Sequence, residues 1–575
     1  MIGPITDRGT HRGAALPFLR RAILCATLAW AAAPAHAEPP LTETGKYILV
    51  PTNEYVVRMA MDLLGAHPTV EQLDGVLQGT LPIEDLLSQF LDDPRFHRRL
   101  EWIANDFFLT ERINVPFFQE ALGEMDEEEA AASLGKEPLK LFSYLVEHDL
   151  PMTDLVTADY TIADSTLASF WNIDYPGPPG GSEWLKARYR DGRPHAGVLS
   201  MQSFYYRYGS TASNKQRGRA NAITRIFLDD DHFQRNVAFE FRLAANQEAD
   251  LDRAVRYNLG CLACHASLEG VVAHLQAIQI GPVGDDIEDR DDFEHYSKQG
   301  VERWQLINER VPAYYGRPSD GNLKTLGGYI AQDPRFALTL TKRVTGSLTQ
   351  TTLDHRDRDL LLALNDVFVQ RGFRLKDLVR AIARSDYYRA AGATPPASPE
   401  EARNLQPFRM ATPEQMASLC MDLTGQTWGN RERPSLEYDP EFKIPAGGYD
   451  GEVITKRSFA ITPIYLLTYQ RNAEALANAV YNAELTGNEP PVEERKVFTL
   501  ISGREDPVAN AAAVRAQIAH WFKRFYGESV SPDGPEATQI YNLLLDFRAD
   551  RGNNTRQGWR DVLALLLRDP KLYFY

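Results

Sequence analysis

The 575-residue sequence predicts a mostly α-helical protein, with two helical halves of recurring amphipathic helices flanking a central cysteine-containing segment. The strongest pattern is a stripe of apolar residues three and four positions apart, the spacing of one helix face. The clearest copy runs from Ile83 to Leu91 and is followed by Asp93-Pro94. Because proline cannot continue the hydrogen bonds of a helix, we expect the helix to end there. Further copies, each ending at an Asp-Pro or Ser-Asp step, occupy residues 323–336, 375–388 and 559–572.

A second repeated pattern supports two related halves. Met61-Asp62-Leu63-Leu64-Gly65 is echoed by Met421-Asp422-Leu423-Thr424-Gly425. The repeats are too irregularly spaced along the chain for a solenoid. We therefore interpret the chain as helical units that recur in two halves.

The first 37 residues are typical of a secretory signal peptide. Four arginines precede an apolar stretch from Ala22 to Ala33, and Ala35-His36-Ala37 has the small residues of a cleavage site. The mature chain would begin near Glu38, and Cys25 would be discarded. No later segment approaches the roughly 18 consecutive apolar residues of a transmembrane helix. We expect a periplasmic or secreted bacterial protein with no transmembrane segment in its mature chain.

Residues 261–265 read Cys-Leu-Ala-Cys-His, the C-x-x-C-H pattern that attaches haem c. Two intervening residues bring both thiols to one edge of the porphyrin, where they add across the vinyl groups, and the next histidine ligates the iron. A redox dithiol would need a thioredoxin-like βαβ context, and zinc would need two more Cys or His ligands nearby. Haem c is attached outside the cytoplasm, in agreement with the signal peptide. We expect one covalent haem c on Cys261 and Cys264, with His265 as the proximal iron ligand.

The remaining cysteine of the mature chain has no partner for a disulfide. Cys420 lies in the apolar sequence Ala417–Met421. We expect it to be a small buried helix residue rather than a reactive thiol.

Loops rich in proline and glycine divide the chain. Residues Tyr175–Gly181 read YPGPPGG, and Ala391–Glu401 contains three prolines, so neither segment can be helical throughout. The predicted organisation is a signal peptide (1–37), an N-terminal helical domain (38–175), a haem c-containing region (182–310), a helical region (311–390) and a C-terminal helical domain (402–575).

Charge limits the classes of partner. The chain has a net charge of −16, and removing four arginines and one aspartate with the signal peptide makes it −19. A surface this acidic repels nucleic acid and anionic membranes, and it would attract a basic redox partner protein. The acidic runs Asp126–Glu129, Asp229–Asp231 and Asp285–Asp292 are expected to be solvated loops. The sequence leaves the oligomeric state open.

The chain also resembles a family of large secreted proteins. Asp62–Gly65, with the helix that follows and the step Asp93–Phe96, resembles the N-terminal domain of planctomycete-type secreted single-haem cytochrome proteins built from domains of unknown function. Four segments are similar to that family's C-terminal domain: Phe368–Arg389, Arg409–Met416, Gly447–Gly451 and Lys456–Phe459. Two segments ahead of the haem motif resemble related members: Gly197–Ser200 and Lys215–Gly218.

This resemblance implies export, one haem c and a role in electron transfer or polymer breakdown. Relatives often carry a proline-rich run before the haem cysteines and an Asp-Pro-x-Gly segment after them. Here Ala266–Gly270 follows His265 instead. Details of the haem pocket are therefore not transferred from the family.

The sixth iron position is left open by the sequence. No methionine lies between His265 and Met410. His274 would lie on the opposite face of a continuous helix, roughly 13 Å from His265, so it is not expected to be a ligand. Candidate distal ligands are Met201, which precedes an aromatic cluster at 204–208, and His295 and His355 if loops fold back. An iron with an open sixth position is an equal alternative.

The sixth position separates the functions that the sequence allows. Six-coordinate iron favours electron transfer, which is the function we expect. Five-coordinate iron would favour a haem peroxidase or oxygenase, which needs acid–base groups above the metal. A third alternative is an interaction scaffold with a structural haem. No local hydrolase, phosphate-loop or zinc-protease motif is present, so no catalytic residue is assigned and whether the chain is an enzyme stays open.

Overall fold

A computed structural model describes part of the chain in detail. The described residues are 45–111, 113, 133–211, 214–236, 254–255, 257–278, 296–297, 311–395, 405, 407–431, 433–487 and 489–575. Four features of the sequence lie outside these residues: the signal peptide (1–37), Asp126–Glu129, Asp285–Asp292 and His295.

The described residues are mostly α-helical, which confirms the predicted fold class. The helices before the C-x-x-C-H segment are α1 (Thr52–Leu64), α2 (Val70–Leu77), α3 (Ile83–Leu91), α4 (Pro94–Phe108), α5 (Glu137–Glu147), α6 (Asp154–Thr157), α7 (Ser165–Trp171), α8 (Gln202–Arg207) and α9 (Arg217–Leu228). That segment lies in α10 (Leu259–Val272). The following region contains α11 (Leu323–Gln332), α12 (Pro334–Thr349), α13 (Arg358–Gln370), α14 (Leu375–Arg384) and α15 (Asp386–Arg389). The C-terminal helices are α16 (Pro413–Thr424), α17 (Ser435–Tyr438), α18 (Pro440–Lys443), α19 (Pro463–Glu484), α20 (Ala511–Tyr526), α21 (Pro535–Asp550) and α22 (Thr555–Leu567).

Each of the four apolar stripes forms a helix and leads directly into a second one. After α3, the Asp93 side chain accepts a hydrogen bond from the N–H of Arg95, and Pro94 is the first residue of α4. Aspartate and serine favour the position before a helix, and proline suits the first turn because its missing N–H would have no partner there. The step therefore starts a helix as well as ending one. Equivalent caps are Asp333 before α12, Ser385 before α15 and Asp569 before the 3₁₀ helix Pro570–Leu572.

The repeated pentapeptides both form helix C-termini. Gly65 after α1 and Gly425 after α16 adopt left-handed backbone conformations, with φ of 63° and 67°. Each donates its N–H to a carbonyl of the preceding turn, a common helix end that glycine adopts without strain. The side chain of Gln415 in α16 donates to the carbonyl of Met61 in α1 at 2.8 Å. The two related helices are therefore in contact.

Short strands between the helices pair in antiparallel fashion. Strand β1 (Tyr47–Leu49) pairs with β7 (Ala390–Ala393), joining the start of the described chain to the end of α15. A three-stranded sheet has the order β2 (Thr161–Ala163), β4 (Leu185–Tyr189), β3 (Ile173–Asp174), and a hairpin is formed by β5 (Ala313–Tyr314) and β6 (Arg317–Pro318).

Helix α1 contributes to a core that it shares with the C-terminal helices. Val57 and Met61 are buried in one cluster with residues of α16, α19, α20, α21 and α22. Residues Thr42–Tyr575 form one compact unit. The domain boundaries proposed within that unit stay predictions. In the part of the chain that the structure describes, no helix has the length and apolar character to cross a membrane.

Candidate functional site

The C-x-x-C-H segment occupies the first half of α10. The side-chain oxygen of Asn258 caps this helix by accepting hydrogen bonds from two N–H groups, including that of Cys261 at 3.3 Å. Positions separated by three and four residues share a helix face. Cys261, Cys264 and His265 therefore lie on one face of α10, beginning at its capped end.

The two cysteines of this face differ from the third described cysteine. Cys261 and Cys264 are half-buried free thiols, whereas Cys420 in α16 is 3% exposed. The sulfur of Cys420 accepts a hydrogen bond from the Asn472 amide at 3.4 Å, and burial raises the pKa of its thiol to about 12. The prediction that Cys420 is a buried helix residue is confirmed. Its thiol is unreactive at neutral pH because the thiolate is the nucleophile.

A buried carboxylate holds His265 in position. Glu269 lies one turn further along α10, and its side chain is only 1% exposed. Its Oε1 atom is 2.6 Å from Nδ1 of His265. The same oxygen accepts a hydrogen bond from Nε of Arg217 at 2.7 Å. Burial opposes ionisation of Glu269, but the hydrogen bonds from His265 and Arg217 hold its pKa below the ordinary value. With Nδ1 engaged, Nε2 is the nitrogen of His265 that could bind a metal.

A second ion pair supports the helical turn between the two cysteines. Arg235 donates to the carbonyl of Ala263 at 2.8 Å and pairs with Asp230 at 2.7 Å. Tyr315 also donates a hydrogen bond to Asp230. Burial alone would raise the pKa of the Asp230 carboxyl, but the hydrogen bonds from Arg235 and Tyr315 outweigh it and hold that pKa below the ordinary value. The expectation that Asp229–Asp231 is a solvated loop is wrong for Asp230, because Arg235 and the distant Tyr315 hold its side chain, which is 17% exposed.

His232 lies beside the second cysteine. The Cys264 sulfur is 3.5 Å from the backbone carbonyl of His232, and the ring nitrogens of His232 lie 3.2 Å from Thr224 Oγ1 and 3.0 Å from Ser267 Oγ. Burial and the charge of Arg235 lower the pKa of His232. A neutral ring held at both nitrogens is a fixed wall of the site.

Three large apolar side chains close in sequence to Cys261 or His232 are exposed. Phe233 is 73% exposed, Tyr257 71% and Leu259 85%. Leu259 and Tyr257 precede Cys261 closely, and Phe233 follows His232. A porphyrin is a broad apolar ring that would cover such side chains. The donor set therefore fits haem c: two thiols and an oriented imidazole on one face, beside apolar groups.

The residues considered as ligands for the sixth iron position have different surroundings in the structure. Met201 is completely buried just before α8, and its assignment as distal ligand stays a prediction. The ring of His274 contacts the Gly270 carbonyl through Nδ1 at 2.9 Å and Ser319 Oγ through Nε2 at 2.6 Å, so both nitrogens are engaged. The side chain of His355 is 88% exposed in a 3₁₀ helix.

Four residues of the site were missed by sequence reasoning. Glu269 carried a usable signal, since it follows His265 by four residues and the two must share a helix face. Arg217 lies in the segment Lys215–Gly218 that the family resemblance highlights, but nothing local indicates its partner. Arg235 and His232 reach the site through tertiary contacts alone.

Comparisons with known proteins are limited to the N-terminal part of the chain. The family model described as "Protein of unknown function (DUF1592)" matches residues 56–173, which lie within the predicted N-terminal helical domain. No curated protein and no solved structure matches the chain. Among the described residues, no group of three or more His, Cys, Asp or Glu side chains has the arrangement of a metal site. The chain therefore contains a domain of unknown function next to a C-x-x-C-H helix.

Proposed function

We propose that this protein is an exported c-type cytochrome that carries electrons, with one haem c on Cys261 and Cys264 and His265 as proximal ligand. The observation that carries the proposal is the single face of α10 on which the two half-buried free thiols and His265 lie. When bound, haem would supply a one-electron redox centre. The signal peptide places this chemistry in the periplasm or outside the cell, and the resemblance to planctomycete-type cytochromes points the same way.

The residues of this chain would orient and tune that centre. Nδ1 of His265 donates its proton toward Glu269, which fixes the ring and directs Nε2 away from the buried carboxylate. A carboxylate partner raises the basicity of a ligating imidazole. Since a more basic ligand favours the oxidised metal, Glu269 would lower the reduction potential. Arg217 keeps Glu269 in place through its hydrogen bond to the same carboxylate.

The exposed surroundings of the cysteines suit electron exchange with another protein. Leu259, Tyr257 and Phe233 form an apolar rim next to the attachment face. The net charge of −19 in the mature chain would draw a basic redox partner toward it from a distance, and salt would weaken that attraction.

One observation favours a peroxidase or oxygenase as a second candidate. The hydrogen bond from His265 to a buried, ionised carboxylate makes the imidazole a stronger donor than one bound to a backbone carbonyl. Strong donation to iron promotes cleavage of an oxygen–oxygen bond. That activity would also require a sixth position open to peroxide or oxygen.

Spectroscopy of the purified protein tests both candidates. The full chain is expressed with its signal peptide and the cytochrome c maturation machinery, alongside a Cys261→Ser, Cys264→Ser double variant as control. A pyridine haemochrome assay should find one covalent haem in the wild type and none in the control. Low-spin ferric iron with a reversible one-electron potential supports electron transfer. High-spin iron that binds cyanide and turns over peroxide would overturn it in favour of the second candidate, and absence of covalent haem would overturn both.

A further inference from the structure

A cavity lies where three distant parts of the chain meet. It has a volume of about 350 Å³ and is lined by α4, by α12 and by the loop that runs from Tyr449 to Phe459. The segments Gly447–Gly451 and Lys456–Phe459, which carry part of the family resemblance, form much of that loop. Its volume lies in the range of small-molecule binding sites.

The cavity is basic although the protein is acidic. Arg99, Lys342, Arg343, Lys456 and Arg457 line it, against the two carboxylates Asp106 and Asp229. The whole chain, by contrast, has a net charge of −16. This local reversal of charge would concentrate anions at the cavity.

Some of these cations are already neutralised. Arg457 donates to Asp106 at 2.8 Å and to Glu414 at 2.7 Å, and Lys342 pairs with Asp229 at 2.6 Å. These pairs account for both carboxylates of the cavity wall. They leave Arg99, Arg343 and Lys456 as the positive excess.

Of the two arginines of this excess, Arg99 is buried and Arg343 is half-buried, and neither contacts a carboxylate of the described chain directly. Nε of Arg99 donates to the Asp62 carbonyl at 3.0 Å, and Nη2 of Arg343 donates to the Arg225 carbonyl at 2.8 Å. Within the described residues, neither forms an ion pair, and Nη1 of Arg99, Nε of Arg343 and Nη2 of Arg457 have no hydrogen-bond acceptor. Burial lowers the pKa of Arg343 despite the nearby charge of Asp229, so burying this cation is costly, and a bound anion would offset that cost.

The rest of the lining matches an oxyanion on an organic body. Ser347, Thr351 and Thr455 place hydroxyl groups around the cavity, and Phe459, which is 43% exposed, offers an apolar wall at the rim. Guanidinium and hydroxyl donors together suit carboxylate, sulfate and phosphate oxygens. The volume is larger than one inorganic ion needs.

We infer that this cavity is a binding site for a small organic anion that carries a carboxylate, sulfate or phosphate group. Arg99 and Arg343 supply the charge at its wall, and Lys456 supplies it at the rim. The site is independent of α10, so it adds a ligand-binding function to the proposed cytochrome and does not depend on haem.

Calorimetry and thermal melting of the purified full-length mature protein test this inference. The probes are sodium sulfate, sodium phosphate and sodium glucuronate at constant ionic strength, with glucose as a neutral comparison for glucuronate. We expect saturable binding and a raised melting temperature with at least one anion and not with glucose. The anion that binds most tightly identifies the preferred anionic group. Melting is followed by circular dichroism, so the result stands whether or not haem is attached.

Variants locate the site. Lys456 is exposed, so Lys456→Gln should fold normally and weaken anion binding about tenfold, the effect of losing one charge-assisted contact. Arg343→Lys keeps the charge but removes the guanidinium geometry, and it should weaken binding too. The matched control is Lys324→Gln, an exposed lysine outside the cavity lining, which should bind as the wild type does. No saturable binding of any anion, equal binding of glucose, or binding unchanged in both cavity variants would overturn the inference.

Discussion

Two regions of this molecule use charged and polar side chains in opposite ways. Around Asp62, which is fully buried, the carboxylate accepts hydrogen bonds from Tyr388 at 2.6 Å and Tyr575 at 2.7 Å and pairs with Arg409, itself 2% exposed. The C-x-x-C-H face of α10 is half-buried instead. Its two thiols and its imidazole come from five consecutive residues. The first region joins distant parts of the chain, and the second presents reactive groups at the surface.

This difference shows which of the motifs that carry the family resemblance have a structural role. Asp62 and Arg409 both lie in segments that resemble the planctomycete-type family, yet their side chains satisfy each other inside the protein. Reactive thiols and a metal-ligating imidazole must be reached by a cofactor, so they cannot be enclosed in this way. Burial therefore separates the groups that hold the fold together from those that could do chemistry.

The largest expected effect comes from removing the buried carboxylate. Asp62→Ala would leave the guanidinium of Arg409 uncompensated and two tyrosine hydroxyls without their acceptor. Breaking a buried ion pair in this way costs about 3–5 kcal/mol. A fall in the urea midpoint and melting temperature would measure the loss.

The repeated pentapeptide supplies the matched control. Asp422 occupies the position equivalent to Asp62, but its side chain is 21% exposed and pairs with Arg524 at 2.7 Å. Asp422→Ala should cost less than about 1 kcal/mol because partly solvated pairs contribute little. Equal losses in the two variants would contradict the contrast between the buried charge of Asp62 and the half-buried charge of Asp422.

A smaller effect is expected on acidification. His67, which is 3% exposed, lies near Arg524, and burial followed by the charge of that arginine lowers its pKa to about 4. The unfolded chain binds this proton near pH 6.5, so stability is complete above that pH and falls as the pH drops toward 4. The expected loss is about 3 kcal/mol.

Urea midpoints at pH 7.5, 5.5 and 4.5 would follow this loss. The His67→Gln variant removes the titrating ring, so its stability should change less with pH than that of the wild type. If wild type and variant show the same pH dependence, His67 does not contribute to acid destabilisation.

The smallest effect is expected at the candidate haem site itself. Glu269→Gln would remove the negative charge beside Nδ1 of His265, so the ring would become a weaker donor. The reduction potential of the haem should rise by about 50 mV. This corresponds to a change of a little under tenfold in the equilibrium constant of the one-electron reduction. Potentiometric titration measures the shift, and the iron–histidine stretching frequency in resonance Raman spectra should fall with it.

Two further variants separate this effect from a general change of charge. Arg217→Gln should not raise the potential, because Glu269 keeps its charge and its hydrogen bond to His265 and loses only a neutralising cation. Glu441→Gln removes an exposed carboxylate of the C-terminal region and should leave the potential unchanged. A potential in Glu269→Gln equal to that of the wild type would mean that the carboxylate only positions the helix.

Local patterns predicted the features whose physics is local. The apolar stripes of α3, α11, α14 and α22 indicate helices because the period of 3.6 residues is set by the backbone. The Asp-Pro steps mark helix ends for the same reason, although the sequence did not reveal that the aspartates also cap the following helices. The C-x-x-C-H face was predictable because all its members lie within one helical turn and a half.

The sequence by itself determined the helical class, the spacing of the repeated units and the two thiols with His265 on one helix face. Tertiary structure alone decided that Arg409 neutralises Asp62 across 347 positions of sequence, that Arg217 holds Glu269, and that α4 and α12 meet the loop of Lys456 at a basic cavity. The reason is physical: helix periodicity and capping depend on neighbours a few residues away. The partner of a buried charge depends on which distant segments pack together, and that choice is made by the whole core.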